Sequence, residues 1–387
     1  MPKNIKLLYL INFFSSFRFY TPILVIYFAQ VTGSYASAMT IIAADGLFTG
    51  LFEIPTGIFS DLIGRKSTTI LSHIISIPTM IFWAIGGSFE FLLIGAFFGG
   101  LSGALRSGND DALMYDSLKE INRENEYHNF YSKLGTFALI AFGISALIGG
   151  FIAGISFQLV FWLSILFKIF ALILSFFLHQ PPEYKKVEYN PYRHLKESIS
   201  LFIHNPKLRM LSISNALTNS ITESTYQFSP IFVNTLWPLW AVGLMKASTN
   251  FLNAFSYFIS GKIITKFKAF NALMGQFVIS RVILIFAYAF PTILSPALMA
   301  STSLIYGIGQ VSQNTLMQKE FSDHQRATMG SLNSLLTTIF FTTTSILIGL
   351  FADLLGSRNI LLLGEIFLIF VLFIYWRLFL HNRKTEI

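Results

Sequence analysis

Ten charged side chains fall inside stretches that are otherwise almost wholly apolar: Arg18, Asp45, Glu53, Arg106, Asp110, Lys168, Glu223, Lys246, Arg281 and Glu365. A charge at the centre of a bilayer-spanning helix costs about 2.5–3.5 kcal/mol on insertion scales, so it is kept where it pairs, binds a solute or carries protons. Protonation of an intramembrane carboxylate responds to solvent access and to cationic neighbours. That makes Glu53, Asp110 and Glu223 candidates for coupling proton flow to solute movement. Arg18 and Glu223 stand near the middle of their stretches. Tyr20, Tyr226, Asn250, Gln310 and Gln313 add aromatic faces and hydrogen-bonding groups suited to a small molecule.

The elements that position these residues are membrane helices. The 387-residue chain is 53% hydrophobic and only 12% charged, against roughly 25% charged in a soluble domain. Apolar runs of about 20 residues predict twelve crossings, near 6–30, 37–60, 67–86, 90–113, 132–154, 157–179, 210–233, 238–261, 271–290, 293–317, 328–352 and 359–380. With the N-terminus inside, 21 of the 27 basic residues fall in inner segments and Arg358 alone in an outer loop. Both termini are therefore expected to be cytoplasmic. The first run is too long for a signal-peptide core and reads as helix 1. The net charge of +8 is spread over short loops and makes no single basic face, which speaks for anionic inner-leaflet lipid and against nucleic acid as a partner. Zero cysteines exclude disulfides, Cys-ligated zinc and thiol chemistry.

One connection stands out. Residues 53 to 66 read EIPTGIFSDLIGRK, and the charged turn has room for only a very short loop. Its pattern G-x-x-x-D-x-x-G-[RK]-[RK] resembles the signature loop between helices 2 and 3 of the major facilitator superfamily of secondary transporters. A second stretch, Asp323 to Ser334, looks like that family's inner loop before helix 11. The resemblance implies an all-α membrane protein of twelve transmembrane helices in two pseudo-symmetric six-helix halves that work by alternating access. It implies that Asp61 caps a neighbouring helix and that Arg65 pairs with an acidic residue at the inner end of helix 4, Asp111 or Asp116. Gly57, Asp61, Gly64, Arg65, Lys66, Asp111 and Asp116 would together latch one state of the bundle. A solvated loop would account for Arg65 and Lys66, but not for the spacing of Gly57, Asp61 and Gly64.

The longest polar interruption, about 179 to 209, divides the chain into expected halves 1–180 and 209–387 with a cytoplasmic linker 181–208, in which 192–202 is suited to an amphipathic surface helix. A shift of 204 places Gly57 on Gly261 and Gly103 on Gly307, and a shift of 203 places Asp111 on Asn314, as two parallel repeats would. The second copy of the signature is eroded, with Thr265 and Lys268 where Asp61 and Gly64 stand in the first.

In the superfamily, helices 3, 6, 9 and 12 are peripheral and the others line a central cavity, which implies that Lys168, Arg281 and Glu365 are buried structural pairs or snorkelling groups and that Arg18, Asp45, Glu53, Arg106, Asp110, Glu223 and Lys246 form the cavity set. Helix 5 ends in Ser145-Ala-Leu-Ile-Gly149-Gly150. Its small residues follow the spacing of the family's antiporter motif, with Ala146 where that motif has Pro. Proton-coupled export of a small organic solute is accordingly expected, with proton-coupled nutrient uptake as the alternative. The expected setting is a bacterial inner membrane, and the expected form a monomer without cofactor or metal. A membrane-embedded enzyme would need a metal or nucleophile constellation. The seven histidines are scattered singly, with no H-x-x-x-H pair and no phosphate-binding loop.

Overall fold

The structure, a computed structural model, describes residues 3–181, 202–203, 206–318 and 326–385. All regular structure among them is helical. Hydrocarbon offers backbone groups no partners, so these apolar stretches satisfy their own hydrogen bonds as helices. Seven of the described helices are long and apolar enough by themselves to cross a membrane. The remaining crossings are broken or carry more polar residues, and the whole is consistent with twelve.

Helix 1 is built from α1 (Lys3–Ser15) and α2 (Leu24–Thr32). There follow α3 (Tyr35–Ile63), α4 (Arg65–Ile85), α5 (Phe89–Arg106) continued by α6 (Asn109–Lys119), α7 (Tyr127–Ala153) and α8 (Phe157–Phe176). These are crossings two to six. Crossings seven to twelve are α9 (Pro206–Leu236), α10 (Leu239–Phe267), α11 (Ala269–Ala289), α12 (Ser295–Ser301) with α13 (Ser303–Gln318), α14 (Arg326–Leu355) and α15 (Ser357–Thr385).

The chain forms two compact units, Met1–Tyr189 with Pro238–Phe251, and Asn190–Trp237 with Leu252–Ile387. In the first, α1 packs on α7 and α8, and α4 packs on α5 and α8. In the second, α9 packs on α14 and α15, and α11 packs on α13 and α15. The first helix of each set thus meets the fifth and sixth, and the third meets the fourth and sixth. Ile5, Leu8, Leu113, Leu118 and Phe130 form a core around α1, and Ile221, Leu273, Phe277 and Leu368 form one around α9. Outward faces are strongly apolar, as at Phe258, Leu354 and Phe370, which suits contact with lipid.

The turn 57–66 is tighter than the sequence implied. A single residue, Gly64 at φ 91°, ψ 153°, separates α3 from α4. Lys268 separates α10 from α11 with nearly the same backbone, φ 65°, ψ 149°, so the repeat offset of 204 holds there. Further on, five residues, 290–294, connect α11 to α12 where three, 86–88, connect α4 to α5, so the starts of α5 and α12 are 206 apart. Residues 192–201 of the expected linker helix and 323–325 of the second inner loop lie outside the described residues.

Candidate functional site

The signature turn is organised around a residue that sequence reasoning passed over. Asn109, 2% exposed, sits at the start of α6, directly after Gly108, whose φ of 69° bends the fourth crossing. Asn109 Nδ2 donates to the Arg65 carbonyl at 3.2 Å and to Thr69 Oγ1 at 2.9 Å, and Asn109 Oδ1 accepts from Ser60 Oγ at 2.7 Å. Arg65 Nη1 donates in turn to Ser60 Oγ at 3.0 Å, and Arg65 Nη2 pairs with Asp61 at 3.0 Å. Arg65 is thus paired within its own turn rather than with Asp111 or Asp116, because its bidentate fork lies along the α3 terminus. Asp116 lies within range of its charge, whereas Asp111 is exposed and lies beside Asp110. Lys66 contributes its backbone N–H, donated to Gln180 Oε1 at 2.8 Å, which ties the turn to the end of the sixth crossing. Gly57 is open on all sides. Glu53 accepts from Ser107 Oγ at 3.0 Å, and Arg106 Nε pairs with Asp110 Oδ2 at 3.1 Å. Both contacts gather at the bend between α5 and α6.

Deeper in the first unit lies a cluster of charges. Arg18 is in the non-helical segment between α1 and α2, and its guanidinium rests on the Phe142 ring at 5.4 Å. Lys168 on α8 is 7% exposed and interacts electrostatically with Arg18, Arg106 and Asp45. The structure therefore places Lys168 in the interior set, whereas its peripheral helix implied snorkelling or a structural pair. Asp45 lies so close to α5 that a Cβ on Gly99 would collide with its Oδ1. The glycine is what lets the carboxylate in. Tyr20, buried between Phe161 and Trp83, is in range of Arg18, Asp45 and Arg106. Lys246, 1% exposed, and the half-buried Asn250 belong to the part of α10 that is in this unit.

Two close approaches hold the interrupted helix. Gly149 of α7 lies against the Phe19 carbonyl, and Gly150 lies against the backbone of Trp240 and Gly243. Any side chain at either position would strike main chain.

The second unit carries a polar stripe. Gln227 Nε2 donates to Glu223 Oε1 at 2.7 Å, Asn219 Nδ2 to Asn215 Oδ1 at 2.6 Å, and Gln310 Nε2 to Asn219 Oδ1 at 3.1 Å. Tyr226 and Tyr306 lie within range of Glu223, and Gln313 is buried one turn along α13 from Gln310. Glu223, Tyr226 and Gln310 are therefore brought together, with Asn215 and Asn219 as members that the sequence had not marked. The successive four-residue steps from Asn215 to Asn219 to Glu223 were the available signal. Arg281 and Glu365 form a buried ion pair at 2.5 Å, the structural pairing expected of those two residues.

The family model described as Major Facilitator Superfamily matches residues 7–340. The chain belongs to the major facilitator superfamily. An uncharacterized MFS-type transporter of Methanocaldococcus jannaschii is 23% identical to this superfamily member over 388 residues, covering 96% of this chain and 97% of that protein. An uncharacterized transporter of Buchnera aphidicola is 34% identical over 129 residues, 33% of this chain and 32% of the relative. Among solved structures, the nucleoside transporter NupG (D323A mutant) superposes with a TM-score of 0.84 at 16% identity, covering 97% of this chain and 100% of the other. A bacterial homolog of the human lysosomal transporter Spinster gives 0.78 at 17% identity, with 98% and 97% covered. At such identities the likeness shows the fold. Family and fold are those of secondary transporters, not of enzymes.

Proposed function

We propose that this superfamily member exports a small organic solute by proton antiport, as a monomer in the bacterial cytoplasmic membrane with both termini cytoplasmic. The observation that carries the coupling is Glu223, a carboxylate on a membrane helix held by Gln227 in a stripe of amides and tyrosines. An ionisable group kept at such cost is a candidate proton carrier. Asp110, with one buried carboxylate oxygen left without a hydrogen bond, and Glu53 are further candidates at the α5–α6 bend. Direction rests on the Gly149–Gly150 pair, whose close backbone approaches match the role of small residues where helices slide on one another. The turn around Asp61, Arg65 and Asn109 serves as the latch.

The test is the internal pH of proteoliposomes holding purified protein of known orientation, under an imposed proton gradient, with cationic drugs, sugars, amino acids and organic acids supplied in turn. Solute-dependent proton movement opposite to the solute supports antiport. Movement in the same direction would replace it with symport, and an unaltered response in Glu223→Gln would remove Glu223 as the coupling acid.

A further inference from the structure

The first unit holds a set of charges, the buried Lys168 and the half-buried Arg18 and Asp45, whose side chains are not directly paired among the described residues. The side chains of Arg18, Lys168 and Asp45 make no hydrogen bond or ion pair among the described residues, and Arg18 Nε is shut off from solvent without an acceptor. Arg106 is already answered by Asp110, so within the Arg18–Lys168–Asp45 set two cations stand against one carboxylate. The second unit shows the contrast, since Arg281 and Glu365 are buried in direct contact. Buried charge is tolerated when paired and hydrogen-bonded, and is costly when left over.

The surroundings point to a ligand rather than to a packing accident. Arg18 is carried on the non-helical residues 16–23, and irregular backbone at membrane depth survives where it is buried in protein or lines a water-filled cavity. The planar guanidinium fork can donate two parallel hydrogen bonds to a carboxylate, and the lysine adds a point charge. A single negative charge would balance the set.

We propose that the Arg18–Lys168–Asp45 cluster binds the carboxylate of a monoanionic solute, with Asp45 as the internal counter-charge while the site is empty. This rests on the transporter reading and is independent of direction.

The experiment uses the full chain in lipid nanodiscs with three sets of probes: monocarboxylates from lactate to benzoate, their uncharged amides, and the corresponding amines. Thermal stabilisation is titrated for each, and flux of the same compounds is followed in proteoliposomes. Carboxylates are expected to stabilise the protein where amides and amines do not. Lys168→Met and Arg18→Gln should weaken that effect roughly tenfold or more, Lys168→Arg should retain it, and Arg123→Gln, in the α6–α7 connection, should leave it unchanged. Lys168→Met should also raise the unfolding temperature of the ligand-free protein, since it removes an unanswered charge. A merely structural lysine would do the reverse. Preference for amides or amines, no binding of any carboxylate, or full carboxylate binding by Lys168→Met each overturns the proposal. Flux of a neutral or cationic solute in those cases leaves the transporter standing, whereas carboxylate binding without flux of any solute would overturn the transport reading instead.

Discussion

Asn109 and Asp61 sit in the same turn and have different work to do. Removing the Asn109 amide leaves the Ser60 hydroxyl without its acceptor and takes one donor each from Thr69 Oγ1 and the Arg65 carbonyl, so Asn109→Ala should lower unfolding free energy by about 1–3 kcal/mol. The Asp61–Arg65 pair is 50% and 28% exposed, and exposed pairs contribute only about 0.2–1 kcal/mol. Asp61→Asn should therefore leave the melting temperature nearly unchanged while shifting the balance of inward and outward states. Equal populations in parent and variant, read by distance measurements between spin labels, would sink the latch. At Arg281–Glu365 the order of effects is the opposite. Glu365→Gln leaves a buried guanidinium unanswered and should cost about 3–5 kcal/mol, whereas the double variant Arg281→Met, Glu365→Leu should recover most of it. A double-mutant cycle on thermal unfolding decides this.

At the scale of elements, glycine and its absence set the geometry. Gly149 and Gly150 let α7 touch the interrupted first helix and the start of α10 backbone to backbone. Gly149→Val should cost about 1–3 kcal/mol by overpacking and abolish transport, because the atom it strikes is main chain and cannot rotate away. Lys268 carries at φ 65° the conformation that its counterpart Gly64 adopts without strain. Lys268→Gly should accordingly stabilise the protein by about 1 kcal/mol, seen as a higher melting temperature, and Gly64→Lys should do the reverse. The doublet at 149–150 and the eroded signature at 265–268 were both legible in the sequence. The Gly149–Phe19 contact was not, since residues 130 positions apart show no joint pattern along one chain.

For the whole molecule, orientation is the property most open to a direct check. The chain has no cysteine, so single introduced thiols report without background. Asn125→Cys, between α6 and α7, should react with a membrane-impermeant maleimide only after permeabilisation. Ile155→Cys, between α7 and α8 and 80% exposed, should react in intact cells. The reverse pattern would invert the topology argued from Lys and Arg placement. Composition and run length alone dictated membrane helices, because a backbone in hydrocarbon has only one economical way to satisfy itself, and the fold is consistent with their count of twelve. The fourteen residues 53–66 likewise carried the resemblance to the family, which the match over residues 7–340 bears out. Which charges meet was decided only by tertiary structure. Lys168 looked peripheral until α8 packed on α1 and α4 and brought it inside, and Arg65 found its partners in Ser60, Asp61 and Asn109. Pair energies fall within a few ångströms, and a linear sequence holds no distances beyond those its own helices impose.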